Sequence, residues 1–202
     1  FFLFVGGVLM VSDFSTITIK NCIFAFNFAK TLGGIFKITE HSTVIVTTSL
    51  FDKNFAGDGG VFYSFDIYIW MVISDCIFSN NTSSNNIFNV YKTKLIINNT
   101  KLVQNHNPSI FALDTDIILS NVTFSENICY NKDYGCLVHF QDSFLIFENV
   151  AISKTKNLKN YIGNIYVFNS FLQINSSFLN NLFSEDLGVC IYGKDSNITI
   201  HS

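Results

Sequence analysis

Residues 42–81 read STVIVTTSLFDKNFAGDGGVFYSFDIYIWMVISDCIFSNN, and this stretch decides the fold. It opens with a five-residue segment at Ser42 whose third and fifth positions are apolar, and an equivalent segment starts 27 residues later at Ile69. Alternation with a period of two is typical of a strand that packs one face on a core. A Phe-x-x-Asn motif and a pair of glycines lie between the two segments. The stretch therefore predicts a repeating unit of strands and turns.

The strand segment recurs along the whole chain at a mean spacing of about 26 residues. Its eight copies keep apolar residues at the third and fifth positions and start at Ser15, Ser42, Ile69, Thr93, Thr115, Ser143, Ser170 and Ser196. Nine residues after each of the first seven starts comes a large apolar residue: Phe24, Phe51, Phe78, Leu102, Phe124, Ile152 and Leu179. In five copies an asparagine follows three residues later: Asn27, Asn54, Asn81, Asn105 and Asn127. An antiparallel sandwich would instead show turn signals every 8–12 residues or so.

This repeat predicts a right-handed parallel β-helix over residues 1–202, in one domain of about seven coils. A single repeat, with about three short strands and three turns, cannot bury its apolar positions, whereas stacked repeats align equivalent side chains inside. We expect the asparagines at a turn that tolerates left-handed geometry, with their amides bonded from coil to coil. The glycine pairs should supply positive φ at another corner. Because the pattern runs into both ends, we expect the natural protein to continue beyond them.

Composition excludes several classes of protein. With 49% hydrophobic and 13% charged residues, the chain does not have the composition of a disordered protein. The net charge is −3 and no arginine occurs, so nucleic-acid binding is not expected. The longest apolar run, residues 1–11, is interrupted by Gly6-Gly7 and is too short for a transmembrane helix. The five cysteines have neither zinc spacing nor a Cys-x-x-Cys pair, so we interpret them as small apolar residues and expect no cofactor.

The motifs resemble those of the polymorphic outer membrane protein family, within the pectin-lyase-like β-helices. That family pairs a Gly-Gly-apolar-apolar motif with Phe-x-x-Asn, as in Gly33-Gly-Ile-Phe and Gly59-Gly-Val-Phe beside Phe51-Asp-Lys-Asn54 and Phe78-Ser-Asn-Asn81. The resemblance covers nearly the whole chain, although both motifs fade after about residue 130. It implies an extracellular or cell-surface ectodomain, often adhesive. It carries over no catalytic residue, because the motifs are structural.

The alternative function is a diverged carbohydrate-active enzyme, since enzymes of this fold act on acidic polysaccharides. The lyase type uses an arginine base, which this chain lacks. The hydrolase type needs two or three neighbouring carboxylates, for which the candidates are Asp114, Asp116 and Asp142. We favour the non-catalytic scaffold or adhesion module.

Two other polar patterns have simpler interpretations than a metal site. An acidic residue precedes the strand in most coils: Asp13, Glu40, Asp66, Asp114, Asp142 and Asp195. Stacked carboxylates can bind calcium, but an aspartate before a strand also closes a turn with its own backbone. We favour the turn, because the acidic position shifts between coils. The histidines His41, His106, His139 and His201 fall at different phases of the repeat and form no ligand set.

The outward positions of the strand segment predict an interaction face. The second and fourth positions should be polar if they met only water, yet many are apolar: Ile45, Trp70, Val72, Ile96, Ile118, Phe144, Ile146 and Phe171. Stacked, they predict an apolar strip about 24 Å long. Such a strip fits a protein or carbohydrate ligand, a second copy, or a covering segment of the same protein. Glycosylation sequons at Asn98, Asn121 and Asn175 share one predicted corner next to it.

Overall fold

The repeated strand segments lie side by side, parallel and in register. Val44 pairs with Ile17 on one side and with Met71 on the other, and the same alignment continues to the last copy, where Leu172 pairs with Ile198. The computed structural model describes residues 3–5, 8–107, 110–130, 136–158, 164–180, 183–184 and 190–202. It is a β-solenoid of about six turns, where the repeat predicts seven coils, and the right hand stays a prediction.

Each full turn has four strand positions, which we call columns 1 to 4, where three had been predicted. Column 1 contains Leu9–Val11, Phe36–Ile38, Phe62–Ser74, Phe88–Asn98, Ile110–Leu113, Val138–Gln141, Ile165–Phe168 and Ile191–Lys194. Column 2 contains Thr16–Lys20, Thr43–Thr47, the second halves of Phe62–Ser74 and Phe88–Asn98, then Asp116–Ser120, Phe144–Glu148, Phe171–Asn175 and Asn197–His201. Columns 1 and 2 form one 14-stranded sheet, because two of the strands run through both columns without a break.

The other two columns are made of shorter strands. Column 3 contains Ile23–Ala25, Leu50–Asp52, Ile77–Ser79, Lys101–Val103, Thr123–Ser125, Ala151–Ser153 and Phe178–Asn180. Column 4 contains Leu3–Val5, Phe28–Leu32, Phe55–Asp58, Thr82–Ser83, Ile128–Cys129, Lys156–Asn157 and Phe183–Ser184, with an isolated bridge at His106. The part of the chain that the structure describes has no helix able to span a membrane.

The predicted phenylalanine ladder fills the core. Phe51, Phe78 and Phe124 are fully buried and occupy one register position of column 3. The Phe51 and Phe78 rings stack with centroids 4.6 Å apart. A second ladder, from the phenylalanines of column 1, packs against the first, with the rings of Phe78 and Phe88 edge to face at 5.1 Å. The prediction of a shared aromatic core is confirmed.

The asparagine column also lies at one corner, between columns 3 and 4. The Oδ1 of Asn105 accepts hydrogen bonds from the backbone N–H and the Nδ2 of Asn81, at 2.9 and 3.1 Å. The Nδ2 of Asn105 donates to the Phe78 carbonyl oxygen at 2.9 Å. The left-handed geometry, however, belongs to the residue before each asparagine, such as Asn80 (φ 54°) and Gln104 (φ 55°). The asparagines therefore lie at a turn with left-handed geometry and bond from coil to coil, as predicted, and the left-handed residue is the one that precedes each of them.

The glycine pairs do supply the other corner. Gly33 and Gly59 have φ values of 59° and 57°, as predicted. The second glycine is needed for a different reason, since a Cβ on Gly34 would lie 2.1 Å from the carbonyl oxygen of Gly60 in the next turn. Gly6 and Gly7 lie outside the described residues.

Two cysteines depart from the prediction. Cys129 ends a column-4 strand and Cys136 lies just before the next column-1 strand, so the path of the coil brings their Cα atoms to 5.5 Å and they form a disulfide. The interpretation of all five cysteines as small apolar residues did not include this bond, because no local motif signals a pair that only the solenoid corner brings together. Cys22, Cys76 and Cys190 are free thiols, of which Cys76 is buried.

Candidate interaction face on column 2

The outward side of column 2 carries a continuous apolar row. Ile45, Val72, Ile96, Ile118 and Ile146 are direct neighbours in successive strands, with no shift of register among them. All five are half-buried, as expected for side chains that contact the same position one turn above and below. This row forms the centre of what we call the column-2 face.

A second outward row, two residues closer to column 1, is aromatic at its ends and charged in the middle. It contains, in successive turns, Trp70, Lys94, Asp116, Phe144 and Phe171. Trp70 at one end of the row and Phe144, next to its other end, keep 49% and 39% of their surface exposed to solvent. The Phe144 and Phe171 rings stack at 4.8 Å, and the Lys94 ammonium lies 5.6 Å from the Trp70 ring centroid.

The charged middle of the face borders an open depression of about 630 Å³. Lys92 and Lys94 belong to one turn, and Asp114 and Asp116 belong to the next; all four are exposed and line this depression together with Trp70. Two cations therefore lie directly beside two anions on adjacent strands. None of the ion pairs among the described residues includes any of these four side chains.

The three candidate catalytic carboxylates do not converge on one depression. Asp114 and Asp116 line the one just described, and Asp116 also lines a second, with Asp142 and Asp195. Asp114 and Asp142 occupy the corner before column 2, whereas Asp116 lies inside the strand.

The acidic residues before column 2 adopt turn geometry. Asp13, Glu40, Asp114, Asp142 and Asp195 have φ between 51° and 58°. This is the left-handed conformation that an aspartate at a turn tolerates. The side chain of Asp66 lies outside the described residues. Among the residues that the structure describes, no three His, Cys, Asp or Glu side chains are grouped as a metal site requires.

The histidines lie in separate environments. His139 faces outward from column 1 yet is only 5% exposed, because the rings of Phe111 and Tyr166 lie against it at 5.0 and 4.6 Å. This burial lowers the pKa of His139 to about 4. His41 stacks on Phe14 at the corner before column 2.

Sequence reasoning missed an outward aromatic ladder on column 1. Ring contacts of 4.6–5.6 Å link successive members, Tyr91, Phe111, His139, Tyr166 and Tyr192. The second and fourth positions of the column-1 strands would have revealed it, but the absence of a fixed residue type hides the pattern.

The predicted glycosylation sites lie at the corner between columns 2 and 3. Asn98 and Asn175 end column-2 strands at the same register position, and Asn121 follows one residue after it. Asn121 is exposed, and its Oδ1 accepts a hydrogen bond from the Asn149 Nδ2 at 2.7 Å. Another sequon asparagine, Asn81, is fully buried in the asparagine column and cannot carry a glycan in the folded protein.

The chain matches no protein-family model and no curated protein. The argument about function therefore depends on the geometry of the solenoid and its faces.

Proposed function

We propose that the chain is a non-catalytic scaffold or adhesion module of an extracellular or cell-surface protein, and that it presents the column-2 face to a partner. The observation that carries the proposal is the apolar row from Ile45 to Ile146, which stays outside a core that is already complete without it. These side chains contact one another along the row but lie outside the interior core, and a continuous apolar strip on the outer face of a sheet is typical of a contact surface.

Support for an extracellular location comes from the disulfide and the sequons. Disulfides persist in oxidising compartments and are rare in the cytosol, and Cys129 and Cys136 are joined. Sequon glycosylation requires an exposed asparagine, and Asn121 is exposed beside the column-2 face. The resemblance to the polymorphic outer membrane protein motifs points to the same location.

A diverged polysaccharide hydrolase is the second candidate, because Asp116 and Asp142 border one depression. An acid and a base that flank a glycosidic bond are what such a reaction needs. Release of reducing ends from polygalacturonate, lost in Asp116→Asn and Asp142→Asn, would favour this enzyme over the scaffold.

An adhesion assay tests the proposed function. Beads coated with the protein are offered surfaces coated with the same protein, with polygalacturonate, with chitin or with mucin. We expect wild-type beads to adhere to at least one surface, and beads with Ile96→Thr and Ile118→Thr to lose that adhesion, since threonine keeps the strand while removing apolar contact.

The matched control is the pair Ile23→Thr and Ile77→Thr, which makes the same change on exposed positions of column 3. Control beads should adhere like the wild type. Adhesion that survives in the column-2 variant, or a wild type that adheres to none of the surfaces, would contradict the proposal.

A further inference from the structure

The order of side chains along the column-2 face, taken from turn to turn, is complementary to the same order taken in the opposite direction. The row from Trp70 to Phe144 runs aromatic, positive, negative, aromatic over four successive turns. The apolar row beside it stays aliphatic over the same turns, from Val72 to Ile146. Reversing the direction therefore exchanges Lys94 with Asp116 and leaves the apolar character of the other positions unchanged.

A two-fold rotation axis would present the face of a second copy in this reversed order. The axis would run parallel to the strands, in the plane of the interface, between the strand of Ile96 and that of Ile118. It turns a second copy over, so that the two faces meet and the solenoid axes are antiparallel. The residues that then face each other across the interface are Lys94 and Asp116, Lys92 and Asp114, Trp70 and Phe144, Val72 and Ile146, and Ile96 and Ile118.

We propose that two copies of the chain associate through the column-2 face about this two-fold axis. The inference rests on the proposed function, because it names a second copy as the partner of that face. Each cation of one copy then lies against an anion of the other, and each ion pair forms twice. An interface that uses the same patch on both subunits is the usual geometry of a homodimer.

Charge decides between this arrangement and the parallel one. If the two-fold axis ran along the solenoid instead, each turn would face the same turn of the partner. The turn with Lys92 and Lys94 would then meet another two lysines, and the turn with Asp114 and Asp116 would meet another two aspartates. Opposed like charges are unfavourable at an interface, whereas opposed unlike charges fix its orientation.

The area of the column-2 face sets how tightly two copies are expected to associate. The four turns that face each other, at the spacing of neighbouring strands, and five residues along each strand give about 19 Å by about 16 Å, or roughly 300 Å² per copy. This lies below the ~800 Å² per partner of a standard stable interface. We therefore expect a weak dimer, with the aliphatic and aromatic side chains supplying the attraction and the ion pairs supplying the orientation.

Sedimentation velocity over a concentration series, from about 1 µM to a few hundred µM, measures the association. We expect the wild type to dimerise within this range. Lys94→Asp alone opposes two aspartates across the interface, and Asp116→Lys alone opposes two lysines, so each should raise the dissociation constant about tenfold or more. The double swap should restore dimerisation, because it exchanges the charges without changing their complementarity.

A mixture of the two single variants gives the sharpest test. Copies with Lys94→Asp carry two anions in this row and copies with Asp116→Lys carry two cations, so the mixture should form heterodimers where each variant alone stays monomeric. Lys101→Asp, on the exposed side of column 3, is the matched control and should dimerise like the wild type. Circular dichroism verifies that all variants are folded.

A wild type that stays monomeric throughout the series would overturn the inference, and so would single variants that dimerise like the control. A failure of the dimer can be distinguished from a failure of the proposed function. If the bead assay still shows adhesion to polygalacturonate, chitin or mucin that Ile96→Thr and Ile118→Thr abolish, the face binds a different partner. If that adhesion is absent as well, the proposed function fails together with the inference.

Discussion

The Oδ1 of Asn81 accepts two hydrogen bonds from Asn54 one turn away, from the backbone N–H at 3.0 Å and from the side-chain Nδ2 at 2.8 Å. Asn81 in turn donates from its own Nδ2 to the Phe51 carbonyl oxygen at 2.9 Å. One side chain thus binds three polar groups of the neighbouring turn, two of Asn54 and one of Phe51. The corner between columns 3 and 4 is held by these side chains as well as by strand pairing.

Asn81→Ala should lower the free energy of unfolding by about 2–3 kcal/mol, because it leaves the two Asn54 donors and the Phe51 carbonyl buried without this partner. Urea unfolding followed by circular dichroism measures the loss. The control is Asn197→Ala, at an exposed position of the last column-2 strand, which should change stability by less than about 0.5 kcal/mol. Equal effects of the two substitutions would contradict a structural role for the asparagine column.

Phe78→Ala should cost about 3–5 kcal/mol, since it opens a cavity between the stacked rings of the core. The neighbouring residue Ile77 points outward and is 44% exposed, so Ile77→Ala serves as the matched control and should cost far less. Thermal and urea unfolding of both variants give the comparison. A small loss in Phe78→Ala would mean that the ladder contributes little to stability.

Acid should destabilise the protein through His139. Its pKa is about 4 when folded and close to 6.5 when unfolded, so the unfolded state takes up the proton more readily. The stabilising contribution is complete above pH ~6.5 and falls by about 3 kcal/mol as the pH drops to 4. In His139→Phe this loss of stability between pH ~6.5 and 4 should disappear, because phenylalanine keeps the ring packing and does not titrate. Parallel pH profiles for the two proteins would show that His139 is not buried in its neutral form.

Reduction should loosen the corner closed by the disulfide. Breaking the Cys129–Cys136 bond frees the short loop that it closes, and we expect a loss of about 2 kcal/mol. Wild-type protein unfolded with and without dithiothreitol, compared with Cys129→Ser plus Cys136→Ser, measures it. The double variant should match the reduced wild type and no longer respond to dithiothreitol. Cys22→Ser, which removes a free thiol, should keep the full response.

The sequence predicted the features that recur in every turn and missed those that arise only between turns. The alternation in the segments at Ser42 and Ile69 correctly placed the parallel strands of column 2, because burial of one strand face leaves a mark on every second residue. Column 4 was not predicted, since its strands are short, as at Thr82–Ser83, and are reduced in one turn to an isolated bridge at His106. The Cys129–Cys136 bond was also missed, because it depends on the path of the coil.

The column-2 face likewise has a part that the sequence predicts and a part that it does not. The positions of Ile96 and Ile118 were predictable, because a strand fixes which residues point outward. The sequence left the partner open among a ligand, a second copy and a covering segment, because the choice depends on the order of charges over several turns and not on any local motif. The reversal of Lys94 and Asp116 becomes visible only when the exact alignment of the strands is known.

The isolated bridge at His106 shows how the solenoid tolerates changes in length. The repeat that starts at Thr93 is the shortest, at 22 residues, and it is the turn in which column 4 is reduced to that single bridge. On the opposite side of the same turn, Lys94 and Asp116 remain aligned as though nothing were missing. Residues can therefore be lost or inserted around column 4 without displacing the side chains on column 2. Mutation can change the length of the chain on one side of the solenoid while the column-2 face keeps its arrangement.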